Sequence, residues 1–252
     1  MSTTKHIAAR AVRAVSFILL SIVFIGLCFV LFLPGLPGFL YISGRKYADL
    51  KLSDFEAYDC IYEADAGVRV DAGAYSFILP QGGIHSSVTD KVHSYEPEHG
   101  TYTLVYTEKA LDTSVSLSDY ASARHAQVIR RTLQAEGKSV PDNLYDFSEL
   151  IYSVDRSDFD LTDAELTEYY VAVTMTKNKY SRAYNFLDGD AYYYHARNIR
   201  GLVRIVGRQV EFEFAHESDL TRSYQMIFSE FGSADMSEIF KIINSVDIHA
   251  AA

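Results

Sequence analysis

The chain has 252 residues, 48% of them apolar and 22% charged, a balance that supports a packed core and excludes intrinsic disorder by composition. Lys and Arg total 23 against 33 Asp and Glu, for a net charge of −10. Lys5, Arg10 and Arg13 precede every acid, so the remainder holds 20 bases against 33 acids, and a body of that sign repels phosphate backbones and excludes nucleic acid as a partner.

The first element in chain order is AVSFILLSIVFIGLCFVLFL, Ala14 to Leu33, twenty residues without charge or proline. At ~1.5 Å per residue such a helix measures ~30 Å, the hydrocarbon thickness of a bilayer. The expectation is one transmembrane helix over 14–33. A cleaved leader uses a shorter apolar region followed by a small-x-small site, and here Pro34-Gly35-Leu36-Pro37-Gly38 follows instead. Basic residues in 1–13 hold that end in the cytoplasm, so residues 47–252 are expected outside it, in a bacterial envelope. Cys28 follows Leu27 and not the small residue that lipid acylation needs, so it reads as packing. Cys60 is the only other cysteine, which leaves no intrachain disulfide framework.

The Pro-Gly pairs mark 34–46 as a membrane-proximal linker. Beyond it, alternation predicts strands at 74–79, 86–95 and 102–107, the last two joined through Glu96-Pro97-Glu98-His99-Gly100. SDYASARHAQVIRRTLQAEG (118–137) predicts a helix capped by Ser118 and closed by Gly137. YDFSELIYSV (145–154) reads as a strand. The acidic run 155–166 reads as a loop in which Thr162 and Glu165 have capping-box spacing. From 168 to 214, EYYVAVTMT, YSRAYNFL, AYYYHARN, GLVRIV and QVEFEFA read as successive strands, with turns at Lys177-Asn178-Lys179, Asp188-Gly189-Asp190 and Gly207-Arg208. RSYQMIFSEF (222–231) is read as a strand, and a helix over 234–244 and a short strand close the chain. The fold class expected is α+β: an N-terminal transmembrane helix, then a mostly antiparallel sheet covered by two or more helices, in the manner of an α/β/α sandwich.

YSFILPQG (75–82) and TRSYQMIFSEFGSADMSEIFKIINSVDI (221–248) resemble the PsbP-like superfamily in their strand, short acidic helix, Ile-x-x-Ser and closing strand. The resemblance spans about residues 70–250 and implies an accessory, adaptor or ligand-binding module of α/β/α architecture. It transfers no functional residue.

Signatures of chemistry are sparse. The run from Asp158 lacks the glycine at the sixth position and the acid at the twelfth that a calcium loop requires, Asp163 and Tyr169 standing there instead. His85, His93 and His99 near Glu96 and Glu98 have no zinc spacing, so no metal and no cofactor is expected. There is no G-x-S-x-G elbow and no phosphate-binding glycine loop. Tyr193 and His195 share one face of a predicted strand, opposite Tyr192 and Tyr194, and are the candidate ligand-binding residues; no catalytic residue is assigned. The function expected is a membrane-anchored, extracytoplasmic binding or adaptor module, attached through 14–33 and engaging a protein partner in the membrane or envelope. The alternatives are an anchored hydrolase built on acids and histidine of the tyrosine-rich half, or a small subunit of a membrane complex.

Overall fold

The computed structural model describes residues 2–55, 67–183 and 189–249. Helix α1 (Ser2–Phe32) is followed by α2 (Leu36–Ser43). Among the described residues no helix is long and apolar enough to cross a membrane, which corrects the transmembrane helix expected over 14–33. Helix α1 starts at Ser2, so Lys5, Arg10 and Arg13 belong to the same helix as the apolar residues. Pro37 lies in the first turn of α2, where the missing N–H costs nothing, so the helix forms across it.

The body is α+β. Its centre is a mixed sheet containing β1 (Ser53–Asp54), β4 (Ile84–Thr89), β5 (Val92–Glu96), β6 (Thr103–Thr107), β8 (Gly189–Ala196), β9 (Ile199–Val206), β10 (Gln209–His216) and β11 (Asp219–Ser229). The order across the sheet is β1-β8-β9-β10-β11-β6-β5-β4, and β7 (Leu111–Asp112) pairs with the outer part of β11. Every pairing is antiparallel except β1 with β8, where Ser53 stands beside Tyr192. A second sheet joins β12 (Asp247–Ile248), β3 (Tyr75–Pro80) and β2 (Gly67–Asp71).

Alternation in β8–β11 sends side chains to two cores. Tyr194, Val203, Val210, Phe212, Phe214, Met226 and Phe228 pack with Tyr75, Phe77 and Leu79 of β3. Helix α7 (Met236–Asn244) closes that layer with Ile239, Ile242 and Ile243. On the opposite face Ala191, Tyr193 and Leu202 meet a helical layer. That layer comprises α3 (Leu117–Tyr120), α4 (Ala123–Ala135), α5 (Leu144–Tyr152) and α6 (Ala164–Ala183). One face of the large sheet is therefore covered by helices, and the other by the small sheet plus one helix.

Several elements differ from the sequence expectation for local reasons. The helix expected over 118–137 is two helices, because Ser122 caps a fresh start by accepting from the His125 N–H; Gly137, at φ +70°, ends α4 as expected. Residues 145–154 are helical, since Asn143 Oδ1 accepts from the N–H groups of Tyr145 and Asp146 and nucleates α5. Segment 168–183 is helix α6 and not strands. Asp163, one residue after the expected cap, accepts from the Leu166 N–H. The run then buries Tyr169, Ala172, Val173, Thr176 and Tyr180 at helical spacing, which reads as β-rich only by composition. Helix α6 takes residues 180–183 of the strand expected before Asp188-Gly189, and residues 184–188 lie outside the described residues, as does Cys60. The strand expected over 86–95 is a hairpin, with β4 and β5 turning at Asp90-Lys91.

The expected turn at Lys177 is the interior of α6. Lys177 is fully buried, and its Nζ donates to the carbonyls of Ala48 (2.9 Å), Leu50 (3.0 Å) and Val154. This one ammonium ties the approach to β1 and the end of α5 to α6. Burial pulls its pKa down to about 8, against the pull of Asp155 and Asp49. The unfolded chain keeps the proton to about pH 10.5, so unfolding takes up a proton between those values and stability rises with pH across that window. Lys177→Met should cost about 3 kcal/mol or more, because three carbonyls lose their donor. Urea unfolding between pH 8 and 10 should show the rise in the natural chain and its loss in the variant; equal slopes would refute the assignment.

Candidate functional site

The sequence QVEFEF in β10 places Val210, Phe212 and Phe214 against the small sheet and Glu211 and Glu213 against the helices. Antiparallel register then fixes their neighbours. Arg204 of β9 stands opposite Glu211, and Gln225 of β11 stands opposite Glu213. Directly opposed residues in such pairs hold their Cβ atoms about 5 Å apart on one face. The helical layer covers this polar patch without filling it. A partly enclosed cavity of about 160 Å3 remains, bounded by Leu144 and Tyr180 above and by Ala191, Leu202, Arg204, Glu211, Glu213 and Gln225 below.

The charges in the cavity are unequally matched. Arg204 Nη2 pairs with Glu211 Oε2, and Glu211 Oε1 accepts from Gln209 Nε2 at 2.7 Å. Glu213 receives one hydrogen bond, from Ser223 Oγ at 2.8 Å to Oε1, and forms no ion pair among the described residues. Burial pushes its carboxyl above the ordinary range, outweighing the Ser223 hydrogen bond and the attraction of Arg204. Burial likewise raises the pKa of Tyr145 well above the usual value, the nearby Glu213 adding to the rise and the Ser223 side chain opposing it. A carboxyl held in this way is stored at an energetic disadvantage when charged. Such arrangements concentrate at functional sites.

No family model matches the chain, and no curated protein is significantly similar to it.

The candidates from the sequence stand elsewhere. Tyr193 and His195 do share a face of β8, their rings stacked with centroids 6.2 Å apart. Tyr193 Oη donates to the Ser148 carbonyl of α5 at 2.9 Å, which commits the hydroxyl to holding the helix on the sheet. His195 lies on the rim, half-exposed, with Nε2 3.4 Å from Glu149 Oε1 and Nδ1 3.9 Å from Asp54 Oδ1. Arg200 takes the same Glu149 oxygen at 2.5 Å and Asp146 Oδ1 at 2.7 Å. This is an ion network pinning α5 to the end of β8–β9, and the two residues line none of the described cavities. Of the other histidines, His85 packs on Tyr95 and His93 Nε2 sits 2.8 Å from Glu108 Oε1. The acidic run serves local structure: Asp155 caps a short turn and pairs with Lys51 at 2.7 Å, and Asp160 accepts from Thr162. Among the described residues no three His, Cys, Asp or Glu side chains converge as a metal site would need.

Sequence reasoning missed Arg204, Glu211, Glu213 and Gln225. The available signal was the alternation itself, which places acids on one face of β10. What it lacked was that a helix covers that face.

Because the folded Glu213 holds its proton to higher pH than the unfolded chain, its contribution to stability is present below the ordinary glutamate pKa and lost as pH rises above it. Glu213→Gln keeps the shape and removes the charge. It should be more stable than the natural chain at neutral pH, with the difference shrinking on acidification, as measured by urea midpoints at the two pH values. A variant less stable at neutral pH would overturn this account.

Proposed function

We propose that the chain is a non-catalytic ligand-binding module whose site is the cavity between α5–α6 and strands β8–β11. The observation that carries this reading is the polar floor of that cavity: a carboxyl lacking a counter-charge, beside an amide, under an apolar roof. Small-molecule sites have this composition, with mostly apolar walls and a few fixed polar groups that orient the guest. The resemblance to the PsbP-like superfamily, whose members are accessory and ligand-binding modules, points the same way. The hydrolase alternative has less support, since Glu149, the carboxylate nearer to His195, is taken up by Arg200 and the Tyr193 hydroxyl by α5.

A thermal-shift screen of small polar molecules should yield compounds that raise the melting temperature. At a concentration one hundred times Kd the gain is about 2.7 kcal/mol, or several degrees for a chain of this size. Ala191→Leu, which fills the cavity from its floor, should abolish the shift while the variant still melts cooperatively. Hits indifferent to Ala191→Leu would move the site elsewhere; a screen with no hits would refute the module.

A further inference from the structure

We infer that the cavity takes a small aliphatic primary amine in its cationic form. The inference rests on the reading of the cavity as a binding site and names its guest.

Charge comes first. Arg204 and Glu211 neutralise one another, so Glu213 leaves the lining with one negative charge in excess when ionised. A partly buried carboxylate without an ion-pair partner carries a desolvation cost, and a cation brought to it recovers part of that cost; an anionic guest would add to it. Hydrogen bonding comes second. Glu213 Oε1 is engaged by Ser223, and Gln225, partly buried like Glu213, brings a side-chain amide to the same lining. Glu213 and Gln225 are cross-strand neighbours on the face that floors the cavity. An ammonium carries three donors and no acceptor, which suits two adjacent oxygens, Glu213 Oε2 and Gln225 Oε1. Charge-assisted bonds of this kind are the strong ones.

Shape sets the rest of the guest. Leu144, Tyr180, Ala191 and Leu202 supply apolar walls, which favour an alkyl chain over a second polar group. A volume of about 160 Å3 corresponds to roughly five waters at ~30 Å3 each, so the guest has about five or six non-hydrogen atoms. The tetrahedral ammonium also discriminates against guanidinium, whose planar fork is matched to paired carboxylate oxygens, one of which Ser223 occupies here.

The full chain is titrated calorimetrically at neutral pH with n-butylammonium, n-butanol and butyrate, three guests of one shape and different charge. Butylammonium should bind about tenfold or more tighter than butanol, and butyrate should not bind. Glu213→Gln should lower butylammonium affinity about tenfold or more, as should Gln225→Leu, with circular dichroism confirming that each variant is folded. Butanol binding as tightly as butylammonium, or undiminished binding to Glu213→Gln, overturns the amine assignment and leaves the cavity reading in place. No heat from any of the three overturns the amine assignment as well; the cavity reading then falls only if the wider screen with Ala191→Leu also fails.

Discussion

Strands β8 to β11 have to bury two faces at once, and the rest of the fold is arranged around that demand. A sheet solvated on one side needs one covering layer; this one needs two, of different kinds. One face is filled by aromatic rings, with Phe212 and Phe214 stacked 4.7 Å apart and Tyr75 edge-on to Phe214 at 5.0 Å. That side is closed by β3 and α7. The other face carries Arg200, Arg204, Glu211 and Glu213, and a layer of helices placed over charged groups has to pair them or leave space. It does both. Arg200 is used to dock α5, Arg204 and Glu211 satisfy each other, and around Glu213 the layers stay apart.

Polar groups also do much of the positional work. The buried ammonium of Lys177 gathers three carbonyls from two segments distant in sequence. Phenol hydroxyls make comparable links: Tyr75 to the Thr107 carbonyl, Tyr95 to the Gly82 carbonyl, Tyr152 to Ser181 and Tyr193 to the Ser148 carbonyl. A hydrogen bond nets only about 1 kcal/mol, but one left unmade inside a core costs more. Each such link therefore penalises alternative packings more than it rewards the native one. Helix α2 is placed differently, by close approach: a Cβ on Gly35 would fall 2.3 Å from Thr167 Oγ1 of α6.

Much of the second half of the body was legible from alternation. The meander from AYYYHA through QVEFEFA and RSYQMIF reads directly as strands, and the amphipathic pattern of SEIFKII reads as α7. The helical layer was not legible to the same degree. YDFSELIY and EYYVAVTMT are rich in aromatic and β-branched residues, yet both are helices, because Asn143 and Asp163 cap them and their buried positions recur at three and four. Composition and period disagreed there, and the period decided. The apolar run 14–33 was legible as helix, though not as a span. The candidate cavity was illegible for a simpler reason: Glu213 looks like a solvent-facing residue until something covers it, and contact between β10 and α5 is long-range. His195, by contrast, stood out in the sequence because histidine among tyrosines is conspicuous, whereas its place in space is an ion network at the sheet's rim.

The chain has 19 tyrosines and no tryptophan, and many of the phenols are sealed in the core. Burial moves Tyr95, Tyr169 and Tyr194 up to about 12, and Tyr75 and Tyr193 further still. These rings hold their protons to higher pH than a free phenol does. In alkali the molecule thus behaves as its own optical gauge. Tyrosinate absorbance from the interior comes at the higher pH, and the early, gradual part of the titration belongs to the surface rings alone.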